Sequence, residues 1–455
     1  MSEPKIAENK MGVMPVPKLL ISMSLPMMIS MLVQAMYNIV DSIFVARISE
    51  DALTAVSLAF PIQTLMISVA SGTAVGINAL LSKSLGEKNF KEADKAAQNG
   101  LFLALLSYIV FALLGIFGTR VYFESQTDVV AIVEYGVEYM SVVLIASIGL
   151  FFAITQERLL QATGNSFYSM ISQTCGALTN IVMDPILIFG LLGLPKLGVV
   201  GAAIATIMGQ LVSMLVSLVL NLWKNKEINI SFKGFRPELR VISGIYKVGI
   251  PSMIMMAISS VLTYGYNKIL LMFSSTAVSV YGIYYKLNSF IFMPIFGLNN
   301  AMIPIVAYNY GARNRKRILD TVKLSAITAT VVMLLGVAIF QTVPGPLLEM
   351  FDASENMLEI GIPALRIISI SFILAGYNII ITSVFQAFGN GLYSLIISVV
   401  RQLVVVLPLA YIFAVKFGLN AIWFSYPLAE IVAVVMSTGF FIRLYQQKIK
   451  HIEAI

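Results

Sequence analysis

The chain has one cysteine, Cys175, and one histidine, His451, in 455 residues. These counts exclude a disulfide framework, a multi-cysteine metal site and a zinc site of the HExxH type. They also exclude histidine acid-base chemistry within the apolar part of the chain, because His451 lies in the C-terminal tail. Cys175 lies in an apolar stretch, where packing is the simplest use for it.

Motifs for nucleotide hydrolysis and for enzymatic catalysis are missing as well. No Gly-rich Walker loop is present, which argues against ATP hydrolysis by this chain and favours an ion gradient as its energy source. There is no DDxxD run that would hold magnesium, and no nucleophile has a histidine base. The sequence therefore predicts a protein that is not an enzyme, with an intramembrane prenyltransferase or protease as a weaker alternative.

Charged residues are scarce, at 12% of the chain against 58% hydrophobic residues. The mean hydropathy of +0.88 lies far above that of soluble domains. The apolar stretches are continuous, whereas the strands of a membrane barrel are about ten residues long and alternate in polarity. We therefore predict an all-α membrane protein with twelve transmembrane helices. The stretches lie near residues 17–46, 53–82, 98–118, 129–155, 166–192, 198–222, 241–272, 278–308, 322–347, 357–385, 392–415 and 418–442.

A repeat of 225 residues divides the twelve stretches into two sets of six. Without gaps it pairs Pro26 with Pro251 and Gly86 with Gly311. Because each repeat has an even number of spans, both enter the membrane from the same side, and the pseudo-symmetry axis runs along the membrane normal. The predicted segments are an N-terminal segment (1–15), an N-terminal six-helix lobe (16–222), a linker (223–240), a C-terminal six-helix lobe (241–442) and a tail (443–455).

Positive charge marks one end of the predicted helices. Of 30 Lys and Arg residues, about 22 lie in the N-terminal segment, the even-numbered loops and the tail. The positive-inside rule then predicts that both termini and the linker are cytoplasmic, in a multi-pass protein of the plasma membrane. The net charge of +7 is thus a topology signal, and no nucleic-acid partner is expected.

A few ionisable residues interrupt the apolar stretches, where they are costly and are functional candidates. Asp41 follows Tyr37 by four residues, and Asn180 and Asp184 repeat this spacing, which places each pair on one helix face. Pro185 removes a backbone donor beside Asp184 and frees carbonyl oxygens near it. If the two aspartates share a poorly hydrated cavity, they form a site for a proton or a sodium ion. In the alternative, each aspartate only pins neighbouring helices together.

The repeat places no acid at the corresponding positions of the second half. Asp41 corresponds to Tyr266 and Asp184 to Leu409. A purely architectural pair would tend to appear twice, so we interpret the asymmetry as ion chemistry confined to the N-terminal lobe.

Charged residues also interrupt the second half's stretches, among them Lys268, Arg401 and Glu430. Arg401 and Glu430 lie deep and are candidates for an ion pair, whereas Lys268 lies where its side chain can extend towards an interface. The sequence does not establish whether any of the three has a functional role.

Four segments carry a family resemblance: Asn38-Ile-Val-Asp41, Gln161-Ala-Thr-Gly164, Asn180-Ile-Val-Met-Asp184-Pro185 and Gly198-Val-Val-Gly-Ala-Ala-Ile-Ala-Thr206. With the duplicated twelve-span layout, they resemble multidrug and toxic compound extrusion (MATE) transporters over nearly the whole chain. The resemblance is closest to the bacterial branch of MepA-like and DinF-like exporters.

In that branch a cation site lies in the N-terminal lobe, and the resemblance implies that here it comprises Asp41, Tyr37, Asn180, Asp184 and Thr206. Another branch uses a glutamate on its seventh span. That position falls near Ser259, where no acid is found, so the second site is not carried over.

The resemblance implies an antiporter that exports bulky, often cationic compounds in exchange for H⁺ or Na⁺ by alternating access. Pro26 and Pro185 are the expected helix kinks. No cofactor is expected beyond the coupling ion, and the expected partners are drug-like small molecules and the bilayer, with the monomer as the functional unit. Candidates for lining a substrate cleft between the lobes, for each of which ordinary helix packing is the alternative, are Met31, Gln34, Met255, Met256, Tyr264, Tyr266 and Tyr281.

A flippase for lipid-linked oligosaccharides is the main alternative function. Such a protein needs a strongly cationic cavity for a pyrophosphate, and the few Arg and Lys residues in the apolar stretches argue against one. The sequence leaves open the coupling ion, the physiological substrate, the conformational state and the oligomeric state.

Overall fold

The computed structural model describes residues 8–452, apart from the side chains at positions 42, 46 and 50. Parts of the predicted N-terminal segment and tail therefore lie outside the described residues. Within the described range the chain is helical and contains no strand. We number the membrane-spanning units in chain order as spans 1 to 12.

Six spans form the first half of the chain. Span 4 is a pair of helices, and short helices precede span 1 and span 4. In chain order the helices are Lys10–Val13, Val16–Ala46 (span 1), Glu50–Gly86 (span 2), Phe90–Phe117 (span 3), Thr119–Gln126, Val130–Ile145 with Ile148–Ala162 (span 4), Ser166–Phe189 (span 5) and Gly198–Lys224 (span 6).

The second half repeats this order. Span 10 is again a pair, and π-helical segments lie at Val400–Val406 within span 11 and at Tyr445–Ile449 at the end of span 12. The helices are Leu239–Leu270 (span 7), Ser275–Gly311 (span 8), Arg315–Thr342 (span 9), Pro344–Glu349, Glu355–Ser369 with Phe372–Ala387 (span 10), Gly391–Val399 and Leu407–Phe417 (span 11), and Leu419–Ile422 with Ser425–Leu444 (span 12).

The apolar character of the helices accounts for eleven spans directly. In the described chain nine helices are long and apolar enough to cross a membrane, and two bent pairs raise the number to eleven. Span 5 is the twelfth. At 24 residues it is long enough, but its polar side chains, among them Asn180 and Asp184, keep it from being counted with the other eleven.

The 225-residue repeat is visible in local geometry. The two bent pairs, spans 4 and 10, bend by 45° and 47°. The turns that follow them contain Gly164 and Gly389, with φ of +89° and +76°. Because residues with a side chain rarely adopt this conformation, glycine is required at both turns.

The two lobes pack against each other through spans 1 and 2 on one side and spans 7 and 8 on the other. Close approach depends on glycines at repeat-related positions. A Cβ at Gly72 would lie 2.9 Å from the carbonyl oxygen of Gly249, and one at Gly297 would lie 2.6 Å from backbone atoms of Met28. A Cβ at Gly86 would collide with the carbonyl oxygen of Tyr308.

These lobe contacts reach the end of the bundle that carries the basic loops, which we call the basic end. Here Arg158 of span 4 donates a hydrogen bond of 2.9 Å to Asn300 of span 8. The segment before span 1 also joins the lobes at this end. Asn9 donates to the carbonyl oxygen of Thr163 at 3.0 Å, and Arg317 of span 9 donates to the carbonyl oxygen of Met11 at 2.9 Å. The basic end is therefore closed.

Candidate cation site in the N-terminal lobe

Spans 1, 5 and 6 bring the predicted site residues together. Span 5 packs against both span 1 and span 6. Its polar face follows the helical repeat, because Asn180 and Asp184 lie one turn apart. Span 1 contributes Tyr37 and Asp41 in the same way, and span 6 contributes Thr206.

The carboxyl groups of Asp41 and Asp184 form the centre of the site. They lie within hydrogen-bonding distance of each other. Asp184 has no exposed surface, and Asp41 is partly buried. Two ionised carboxylates repel each other at this separation, so the arrangement is stable when a proton or a cation lies between them.

Both carboxyl groups have an oxygen without a partner. The Oδ1 atoms of Asp41 and Asp184 are buried and accept no hydrogen bond from the described residues. A buried acceptor without a donor is costly, by about 1–3 kcal/mol. These two oxygens are the ligands that a bound proton or an oxygen-preferring cation would satisfy.

Asn180 connects the carboxyl pair to span 6. In one amide orientation its nitrogen donates to Asp184 Oδ2 at 3.2 Å while its oxygen accepts from the backbone N–H of Thr206 at 3.1 Å. The hydroxyl of Thr206 lies 3.4 Å from the same amide. Asn180 is therefore fixed by span 6 and orients Asp184 on span 5.

Two tyrosines complete the surroundings of the pair. The phenol of Tyr37 interacts electrostatically with both carboxyl groups. Tyr139 of span 4 does the same, and its hydroxyl accepts a hydrogen bond of 2.9 Å from Gln63 of span 2. Sequence reasoning did not identify Tyr139 or Gln63. Gln63 carries a usable signal, since it is an amide inside an apolar stretch, but Tyr139 carries none.

The two predicted kink prolines lie inside uninterrupted helices, Pro26 in span 1 and Pro185 in span 5. Since Pro185 has no N–H, the carbonyl oxygen of Ile181 one turn earlier lacks its helical donor. This oxygen lies on the same helix as Asn180 and Asp184.

The proposed cleft residues fall into two groups. Gln34, Met256 and Tyr264 are exposed, Tyr264 by 67%, while Met31 and Met255 are partly buried. Tyr266 and Tyr281 differ, because both are buried inside the C-terminal lobe with ring centroids 4.8 Å apart. In this conformation neither of these two rings faces a cleft.

Three other charged side chains have well-defined partners. Arg401 pairs with Glu430 at 2.9 Å, as expected for these residues, and Asn378 donates to the second oxygen of Glu430 at 2.6 Å. In the N-terminal lobe, Glu157 accepts from the hydroxyl of Ser213 at 2.7 Å. The carboxylate of Glu157 is thus held by a hydroxyl group.

Comparison with known proteins decides the family. A family model described as MatE matches residues 26–186 and 251–412, more than half of the chain. The chain belongs to the MatE family. The two matched ranges begin 225 residues apart, in agreement with the repeat.

Relatives of this MatE protein cover almost its whole length. The multidrug export protein MepA of Staphylococcus haemolyticus (strain JCSC1435) is 25% identical over 423 residues, 92% of each chain. A solved multidrug resistance MATE family transporter of the MOP superfamily, in an outward-facing conformation, is 26% identical with a TM-score of 0.92, over 98% of this chain and 100% of that one. A solved MOP superfamily transporter from Pyrococcus furiosus Vc1 (DSM3638) is 26% identical with a TM-score of 0.91, again over 98% of this chain and 100% of that one.

These similarities confirm the family predicted from the sequence. They also confirm the all-helical membrane fold and the prediction of a transporter in place of an enzyme. The residues of the cation site stay a prediction, and so do the segment boundaries.

Proposed function

We propose that this MatE protein is a secondary active exporter that moves bulky, often cationic, drug-like molecules out of the cell in exchange for H⁺ or Na⁺. It acts by alternating access, as a monomer in the plasma membrane. The observation that carries the proposal is the Asp41–Asp184 pair with its two buried, unpartnered oxygens. The multidrug export activity named for its relatives supports the choice of substrate class.

The site binds one coupling ion between the two carboxyl groups. Protonation of one carboxyl converts the repulsive pair into a hydrogen-bonded one, and a sodium ion removes the repulsion in the same way. Asp41, Asp184 and the carbonyl oxygen of Ile181 are oxygen donors on two helices, so the ion fixes span 1 against span 5. Such a link gives the ion a preference for one conformation, which coupling to drug movement requires.

The closed basic end supports an outward-facing state. The positive-inside rule places the basic loops, and with them both termini, in the cytoplasm. The contacts at Gly86 and at Asn300 then close the cytoplasmic side. This is the state in which the site exchanges ions with the outside and a drug is released.

Flexible apolar side chains and aromatic rings suit a cleft for varied substrates. Met31, Gln34, Met255, Met256 and Tyr264 are the lining residues we retain from the sequence analysis. An exposed amide such as that of Gln34 on a membrane helix is favourable where it faces a watery cleft.

Efflux of a cationic dye from proteoliposomes tests the proposal. Imposed proton and sodium gradients are applied separately, and the native chain is compared with Asp41→Asn and Asp184→Asn. We expect one of the two gradients to drive efflux by the native chain, and both variants to fall to the level of protein-free vesicles.

The matched control is Asp128→Asn, which removes an exposed acid from a loop outside the site and is expected to leave efflux unchanged. Gradient-driven efflux by both site variants at the native rate would rule out the proposed ion site. Movement of a lipid-linked oligosaccharide without dye efflux would favour the flippase instead.

A further inference from the structure

We infer that a groove between the first turns of spans 1 and 9 binds the headgroup of an anionic phospholipid at the basic end. The groove is a cavity of about 540 Å³. Span 1 forms one wall with Val16 and Pro17, and span 9 forms the other. The site is separate from the Asp41–Asp184 pair.

The charge of the groove is unbalanced. Lys316, Arg317 and Lys323 line it together with a single acid, Asp320. Asp320 interacts with Arg317, whereas Lys316 and Lys323 are exposed and have no ion pair among the described residues. A groove with this surplus of positive charge attracts an anion, and basic grooves between membrane helices are suited to lipid headgroups.

Along span 9 the wall of the groove changes from basic to apolar, as a phospholipid changes from headgroup to acyl chain. Lys316, Lys323 and Ile327 lie on one helix face, since their spacings of seven and four residues follow the helical repeat. Leu324 and Ile327 continue the groove beyond the lysines, and Ile327 is 51% exposed. A phospholipid whose headgroup lies near the lysines therefore places its acyl chain against the apolar part of the wall. A free anion has no apolar part that would use this surface.

The repeat supplies an internal comparison. The repeat-related groove lies between spans 7 and 3, is also lined by the end of span 2, and has a volume of about 340 Å³. Val241 takes the place of Val16, and Glu92 takes the place of Arg317. Here the charges pair within the protein, because Arg240 contacts Glu92 at 2.7 Å.

The remaining lysine of that second groove is also paired, since Lys83 contacts Glu87 at 3.4 Å. The second groove therefore has no unpaired charge that calls for a ligand. Of these two grooves, the one beside span 9 combines unpaired lysines with an apolar extension.

The position of the groove links it to the closed state. Arg317, which lines it, also donates to the carbonyl oxygens of Met11 at 2.9 Å and Met14 at 2.7 Å. The same segment holds the other lobe through Asn9, which donates to the carbonyl oxygen of Thr163 at 3.0 Å. A headgroup beside Arg317 therefore favours the conformation in which the basic end is closed.

Titration of the purified full chain in detergent with dioctanoyl phosphatidylglycerol tests the inference. Bound lipid is counted by native mass spectrometry, and dioctanoyl phosphatidylcholine serves as the neutral lipid. We expect the native chain to prefer the anionic lipid. The double variant Lys316→Ala/Lys323→Ala should weaken the apparent affinity for that lipid about 30-fold, because each lysine near an anionic headgroup contributes about 1 kcal/mol.

Lys91→Ala/Lys233→Ala is the matched control, because it removes the same charge from exposed sites at the basic end outside the groove. It is expected to leave the affinity unchanged. Equal binding of both lipids, or an equal loss in the two double variants, would overturn the inference. A third arm adds inorganic phosphate: full displacement of the lipid by phosphate at the same concentration would show a site for a free anion and would equally overturn it.

Discussion

The two lobes share one backbone and differ in the chemistry of their interiors. In the N-terminal lobe, Asp41 and Asp184 face each other with buried oxygens that have no donor. In the C-terminal lobe, Glu430 is paired with Arg401 at 2.9 Å and also accepts from Asn378. Each of these charged residues stands where the other lobe has an uncharged one.

This difference separates a site that needs a ligand from one whose charges are balanced. The C-terminal pair is neutral as a unit, and the tyrosines beside it are also satisfied, since Tyr266 donates to the carbonyl oxygen of Ile422 at 3.1 Å. The N-terminal pair consists of two acids, and no basic side chain among the described residues pairs with either of them. Duplication therefore supplied two equal scaffolds, and side chains placed in one of them created the candidate site.

Breaking the C-terminal pair is expected to have the largest effect on stability. Glu430→Ala leaves Arg401 unpaired, and its Nε atom has no partner even in the intact pair. We expect the free energy of unfolding to fall by about 3 kcal/mol. This is the lower end of the range for breaking a buried ion pair, because the Arg401 side chain is 24% exposed. Thermal unfolding of the purified protein measures the change.

The double variant Arg401→Leu/Glu430→Leu should recover most of this stability, because no charge is left unpaired. Asp184→Asn, in contrast, removes a repulsive partner and should leave the midpoint unchanged or raise it. A loss in Asp184→Asn as large as in Glu430→Ala would contradict the comparison of the lobes.

Most of the fold could be predicted from the sequence because membrane helices leave a strong signal. Continuous apolar stretches and a gapless repeat predict the twelve spans, and the structure adds where they bend. The bends in spans 4 and 10 lie at 145–148 and 369–372, inside stretches that read as continuous. A bend depends on tertiary contacts with neighbouring helices, which hydropathy does not report.

The site could be predicted only in part. Asp41 and Asp184 stand out because carboxyl groups are rare in apolar stretches, and the structure places them together. Tyr139 could not be found, since it is one of 19 tyrosines in the chain and has no distinguishing spacing. Tyr266 and Tyr281 are buried in a stacked cluster, because sequence does not distinguish the cleft side of a helix from the side packed within a lobe.

A smaller effect is expected where the lobes touch. A Cβ at Gly311 would meet the carbonyl oxygen of Lys83 across the lobe boundary. Gly311→Ala should therefore weaken the closed basic end by about 2 kcal/mol, as overpacking does elsewhere. Spin labels at Lys91 and Lys450, introduced in a Cys175→Ser background, should report longer distances across the basic end.

Gly439→Ala is the control for this experiment, because nothing lies within 4 Å of a Cβ at that position. Its label distances should match those of the native chain. Unchanged distances in Gly311→Ala would mean that the glycine contact does not determine closure, and would remove one support for the assigned conformation.

The smallest expected effect tests the equality of the two scaffolds. Ser49 and Ser274 stand at equivalent repeat positions and cap spans 2 and 8, where their hydroxyls accept from the N–H groups of Ala52 at 3.0 Å and Ala277 at 3.1 Å. Replacing either serine by alanine should cost about 1 kcal/mol, the usual value of an N-cap. Because both caps serve the same backbone function, the two losses in thermal stability should be equal, and dye efflux should be retained in both variants. If Ser49→Ala also reduced gradient-driven efflux while Ser274→Ala did not, the specialisation of the N-terminal lobe would extend beyond the carboxyl pair to the scaffold that carries it.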